Sequence, residues 1–293
     1  MSAADFRKEL EASLSKYSIK TGEDIQRLRR KVAFDRLLAR IVSEDPSPFF
    51  LKGGYAMELR SSKARATKDI DLSFYRRVKN AKEPMGELML HELQTLARIN
   101  LNDHFIYQIG QPQSDIENAP YGGSRHSVLT IVDSRPFIEF HLDVGGDFLL
   151  DEIEKIPGTD WLEFCGIAAP LIPMISVEQQ FGEKLHSYTL PRDQINTRTK
   201  DLIDLILLLK TENRAPTPFL NALERVFRAR NTHQLPEALP QPPSSWHKPF
   251  ASMAAECGIS ENLNDGFKKI SDFYSTLQGM NKSVIYTAVG MKV

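Results

Sequence analysis

The chain has 293 residues, 41% of them hydrophobic and 26% charged, with a formal net charge of -1. That length suffices for one large or two modest domains with a sizeable core. The near-zero charge excludes a global attraction to nucleic acid, so any polyanion-binding surface has to be local. No apolar run approaches the roughly 20 residues of a membrane span.

Residues 3–44 read as helical, because Ile25, Leu28, Val32, Leu38 and Ile41 recur near helical spacing with charges between them. The N-terminal residues lack the apolar stretch of a signal peptide, and Cys165 and Cys257 have no metal-type spacing. Both features predict a cytoplasmic protein with reduced core thiols, a disulfide between them being the alternative. Pro48 to Leu51 predicts a short buried strand ended by Gly53-Gly54, and residues 55–62 a helix start. Residues 69–75 alternate, with Ile70, Leu72 and Phe74 on one face and Asp69, Asp71 and Ser73 on the other. A helix is expected over 84–100, a polar Gly- and Pro-containing stretch over 108–125, and strands over 127–133 and 137–144. Beyond these, Ser176 with Gln179 forms a capping-box pattern, followed on one face by Val177, Phe181, Leu185 and Tyr188. Another helix is expected over 198–210, a proline-stiffened connector over 234–249, and a last helix from near Ser260 that buries Leu263, Phe267, Ile270, Phe273 and Leu277.

Asp69 and Asp71 point the same way from one strand, and two like charges there are costly unless a cation sits between them. Their hard oxygens suit Mg²⁺, which takes one or two carboxylates together with substrate phosphates. A solvated strand edge is the bland alternative. On 137–144, Ile138, Phe140, Leu142 and Val144 alternate with Glu139, His141 and Asp143. If the two strands are neighbours, Asp143 joins the pair, and three carboxylates can serve an in-line phosphoryl displacement. Gly53-Gly54 allows backbone amides to approach a phosphate, with a helix start adding its positive end. Lys52 and Arg60 lie near that turn, either as surface charges or, for Arg60, as a nucleotide contact. Asp201 and Asp204 share a helix face within an otherwise apolar run, so they need a partner or a function. Lys184 is the candidate, as an interhelical ion pair or as a phosphate contact.

Taken together, LKGGYAMELR, RATKDIDLSF, IEFHLDVGGDF, EKLHSY and RTKDLIDLILL resemble the AbiEii/AbiGii family of toxin nucleotidyltransferases, the MenT toxins included. The resemblance covers roughly residues 30–280. It implies an α+β, DNA polymerase β-like fold, with a mixed sheet flanked by helices and a helical C-terminal half. A nucleotidyltransferase domain is then expected over 1–150, and a mainly helical domain over 151–293 that supplies Lys184 and Asp201. The resemblance assigns Gly53 and Gly54 to the triphosphate side, Asp69 and Asp71 to Mg²⁺, and Asp143 to the third carboxylate. It assigns Lys184 to phosphate charge and Asp201 to the acid of the later motif. One departure is the Gly-Gly pair, which offers no hydroxyl where the wider fold has Gly-Ser.

The expected substrate is an NTP, the expected acceptor the 3′ end of tRNA, and the expected protein partner an antitoxin. Residues 52–82 carry nine basic residues against three acids, which suits RNA phosphates. The same chemistry on a protein or small molecule, or a catalytically silent binding module, stand as alternatives.

Overall fold

The helical stretch at the N-terminus is two helices in the computed structural model, α1 (Ala3–Thr21) and α2 (Ile25–Ile41). Gly22 ends α1 in the left-handed region at φ 74°, its N–H bonded to the carbonyl of Ser18. Asp24 then caps α2 by accepting from the Arg27 N–H at 2.9 Å. Hydrophobic spacing runs through both helices, so the break rests on one glycine and one carboxylate. The structure describes residues 1–43, 47–75, 85–116, 122–146, 152–211 and 215–290. They divide into a first unit (Met1–Leu59, Ala66–Leu149 and Ile153–Met174) and a second (Arg60–Arg65, Leu150–Glu152 and Ile175–Val293).

The first unit is built on a sheet of seven strands: β1 (Phe49–Lys52), β2 (Asp69–Phe74), β3 (Phe105–Asp115), β4 (Gly123–Val132), β5 (Arg135–Gly146), β6 (Glu154–Pro157) and β7 (Leu171–Met174). The order is β3-β4-β5-β2-β1-β7-β6. The sheet is mixed: β2–β5 and β1–β7 are parallel, the other pairs antiparallel. Helices α3 (Gly53–Arg60) and α4 (Met85–Ala97) complete the unit. One sheet face, with Ile70, Leu72, Leu142, Val144 and Val128, is buried in a core shared with Leu28, Phe34, Leu37 and Leu93 from the helices. Phe34 packs edge-on against Phe140 and Tyr55 at 4.7 and 4.9 Å between ring centroids.

The stretch expected to be polar connection over 108–125 is largely strand. Gly110 and Pro112 interrupt the alternation, but β3 is an edge strand and its pairing with β4 shifts register around Pro112. An edge is where a residue without an N–H is tolerated. The short strands β6 and β7 have no alternation long enough to be read locally.

The second unit is helical: α5 (Val177–Thr189), α6 (Thr199–Thr211), α7 (Pro216–Arg230), α8 (His247–Glu256) and α9 (Leu263–Gly290). Ser176 caps α5 through the Gln179 N–H, as the capping-box pattern predicts. Phe181, Phe219 and Phe273 meet edge to face at 5.2 to 5.6 Å. The proline-rich connector is strapped down by Tyr188, which donates to the Pro240 carbonyl, and by Tyr274, which donates to that of Pro236. Both cysteines are free thiols, Cys257 buried and Cys165 half-buried. Among the described residues no helix is long and apolar enough to cross a membrane.

A buried carboxylate ties α2 to α3. Asp35 accepts from the Tyr55 hydroxyl at 2.5 Å, the Thr159 N–H at 2.9 Å and the Trp161 indole at 3.1 Å. Burial pushes its pKa up to about 6, against the pull of those hydrogen bonds. The stability this group contributes is therefore full below its unfolded value of 3.8 and is lost as pH rises through about 6. The expected loss is at most about 3 kcal/mol. An Asn can keep the two acceptor contacts and donate to Tyr55, whose hydroxyl also reaches the Lys31 carbonyl. Urea denaturation of Asp35→Asn should show a flattened pH dependence between 4 and 6 and stability at pH 8 equal to or above wild type. A variant that is weaker at pH 8 and keeps the slope would contradict this.

Candidate active site

The pairing of β2 with β5 makes Asp71 and Asp143 direct neighbours. On either side, Asp71 pairs with Lys52 of β1, and Asp143 with Arg125 of β4. Directly paired residues point to the same face, so four strands present the row Lys52, Asp71, Asp143, Arg125. The next row holds Asp69, His141 and Ser127. The opposite face is the buried one, which leaves this face to polar groups.

The glycines are demanded by Asp71 and Thr67. Gly53 has φ +68°, and a Cβ there would lie 1.9 Å from Asp71 Oδ2. A Cβ on Gly54 would lie 2.6 Å from Thr67 Oγ1. Gly54 lies in the first turn of α3, and its N–H donates to Asp71 Oδ2 at 3.3 Å. The pair thus lets the start of a helix close directly onto a carboxylate of the row.

Arg125 grips Asp143 with a two-pronged contact, Nε to Oδ1 and Nη2 to Oδ2, each at 2.7 Å. Its Nη2 also lies 3.7 Å from Asp69 Oδ2. The bond to Asp143, with Asp69 and Asp71 nearby, raises the pKa of Arg125 against its partial burial. His141 Nδ1 stands 3.4 Å from Asp69 Oδ1. Among the described residues no group of three His, Cys, Asp or Glu side chains is arranged to close on a metal ion. Asp143 has both oxygens on Arg125, Asp71 Oδ2 accepts from the Gly54 N–H, and Asp69 faces His141 and Arg125. Hard oxygen donors on one face fit Mg²⁺ bound through two carboxylates and substrate phosphates.

In the second unit, Lys184 of α5 bonds Asp204 at 2.8 Å and Asp201 at 3.4 Å, both acids on α6. Asp204 is fully buried and also receives both prongs of Arg65 at 3.1 Å. Burial works against the charge on Lys184, but Asp204 and Asp201 outweigh it and raise its pKa. Likewise Asp204, penalised by burial, is held below the carboxylate range by Lys184 and Arg65. Asp201 Oδ2 is buried without a hydrogen-bond partner and lies 3.8 Å from Arg198. Positive charge is in surplus around these acids. Burial first, then Arg65, Lys184 and Arg198, lower the pKa of Lys200, and burial with Arg198 lowers that of Arg192.

The structure thus brings Asp69, Asp71, Asp143, Gly53 and Gly54 together in the first unit, and Lys184 with Asp201 in the second. Arg60, expected at the nucleotide, donates to the Gln180 side chain and the Ile175 carbonyl. Of the basic run over 52–82, Arg65 is committed to Asp204, and Arg76, Arg77, Lys79 and Lys82 lie outside the described residues. Sequence reasoning missed Arg125, because the strand was expected to begin at 127. Its start at Gly123 is visible only in the ladder with β5.

A search against curated proteins finds none that matches. Among solved structures, the nucleotidyltransferase toxin MenT4 of Mycobacterium tuberculosis superposes with a TM-score of 0.54 at 14% identity, covering 91% of this chain and 98% of that one. JHP933 of Helicobacter pylori gives 0.45 at 13% identity, covering 88% and 94%. At such identities the likeness to MenT4 speaks to the fold. The sequence speaks further, since the model of the nucleotidyl transferase AbiEii toxin family, type IV toxin–antitoxin system, matches residues 36–272. That span takes in both acid clusters and the glycine turn, and this chain belongs to the AbiEii nucleotidyltransferase toxin family.

Proposed function

We propose that this chain transfers a nucleoside monophosphate from an NTP to the 3′ end of tRNA, blocking translation and growth, in the cytoplasm and under the control of an antitoxin. The observation that carries the chemistry is the β2 carboxylate pair Asp69 and Asp71, with Asp71 held directly against the Gly53-Gly54 helix start. Asp69 and Asp71 would hold Mg²⁺, which supplies charge neutralisation at a triphosphate. The protein's own groups do the rest. The first amides of α3 face anionic oxygens, and Asp69 and Asp71 fix the reacting face of the sheet. Lys184 neutralises phosphate charge, and Asp201 holds that lysine. This is catalysis by positioning and electrostatics. The cation surplus formed by Arg65, Lys184, Arg192, Arg198 and Lys200 against Asp201 and Asp204 favours a polyanionic acceptor.

The test is incubation with each labelled NTP, Mg²⁺ and either total tRNA or cell protein. Label on tRNA that is lost in Asp69→Ala supports the proposal. Label confined to protein or to a small molecule replaces the acceptor, and no transfer under any condition, with nucleotide still bound, leaves a silent binding module.

A further inference from the structure

We infer that Arg125 is a positioning residue that competes with a divalent cation for Asp143, and that it passes to a nucleotide phosphate when the cation enters. The inference rests on the metal-site reading above and adds a residue that the reading does not use.

Three features of Arg125 carry it. First, it spends both prongs on one carboxylate, at 2.7 Å each, and so places a positive group on both oxygens through which Asp143 would bind an ion. Second, the same guanidinium lies 3.7 Å from Asp69, so one positive group already spans a carboxylate of β5 and one of β2. A cation bound among these acids and a guanidinium in that place repel each other. Third, the Arg125 side chain is 39% exposed, and it springs from β4 beyond the acid row. A guanidinium fork fits phosphate oxygens as well as carboxylate oxygens. Arg125 therefore keeps Asp143 oriented and the acids partly neutralised before substrate binds. A triphosphate arriving with its cation offers the arginine a new anion while the cation takes Asp143.

The experiment is Mn²⁺ titration of the full chain, with free Mn²⁺ read by electron paramagnetic resonance, alone and with an α,β-methylene NTP. Wild type, Arg125→Gln, Arg125→Lys and Asp71→Asn are compared. Arg125→Gln should bind Mn²⁺ alone about tenfold more tightly, a gain of about 1.4 kcal/mol. With Mn²⁺ present it should bind the NTP analogue about tenfold more weakly. Arg125→Lys, which keeps the charge and loses the fork, should fall between and guards against a folding defect in the first variant. Mn²⁺ binding in Arg125→Gln that is unchanged or weaker, while Asp71→Asn abolishes binding, overturns the competition and leaves the metal site standing. Tighter Mn²⁺ with unchanged analogue binding overturns the transfer to phosphate. If no form binds Mn²⁺, or if Asp71→Asn binds it like wild type, the metal-site reading itself falls.

Discussion

Asp71→Asn is expected to lower nucleotidyl transfer by on the order of 10³-fold or more, while leaving the fold intact. Asp71 stands at the crossing of the site. It is paired with Asp143 on one side and Lys52 on the other, and it accepts from the Gly54 N–H in the first turn of α3. An asparagine keeps the shape and loses the charge, so the loss reads electrostatics rather than packing. Gly53→Ala should reproduce that loss by another route, because its methyl would fall 1.9 Å from Asp71 Oδ2 at a φ that L residues rarely adopt. Gly22→Ala is the control. Its φ is also positive, at +74°, but nothing lies within 4 Å of the added carbon. It should cost about 1–2 kcal/mol of stability and no activity. Single-turnover transfer with labelled NTP measures all three. An Asp71→Asn chain within tenfold of wild type would remove Asp71 from the chemistry.

Asp103→Ala is expected to destabilise the first unit by about 3–5 kcal/mol. Asp103 is fully buried between Asn102 and His104, both with positive φ, and it faces two buried arginines. Arg36 reaches its Oδ2 at 2.7 Å and Arg40 its Oδ1 at 2.5 Å. Arg40 also donates to the Phe105 carbonyl and lies 5.2 Å from the centroid of the Tyr107 ring. Removing the acid leaves two guanidinium charges in the core without a counter-charge. Burial raises the pKa of Asp103, but Arg40 and Arg36 outweigh it and leave it below the usual 3.8. The stability it contributes is present above 3.8 and is lost as pH falls through the lowered value. Urea denaturation at pH 7 is the measurement, and a change below about 1 kcal/mol would mean that the arginines find water instead. Replacing Arg36 and Arg40 with Met in the same background should recover much of the loss.

What was legible in the sequence is what depends on local period. Alternation put Asp69, Asp71 and Asp143 on polar faces and Ile70, Leu72, Leu142 and Val144 on buried ones, as found. Ser176 marked the start of α5, and Asp201 and Asp204 shared a helix face, because a period of 3.6 is written in neighbouring residues.

Period says which way a side chain points, and it is silent on which strand lies alongside. Only the β2–β5 ladder turned three acids into neighbours, and only the β4–β5 ladder brought in Arg125, 18 residues from Asp143 along the chain. The salt bridges of Asp103 and Arg65 span 63 to 139 residues, beyond the reach of any local pattern. The glycine turn changed most in meaning. In the sequence, Gly53-Gly54 was a possible phosphate cradle; in the structure its lack of side chains is what allows Asp71 and Thr67 to approach the backbone at all. Residue type and spacing determined the chemistry available to this protein, whereas the packing of distant strands decided which charges oppose it.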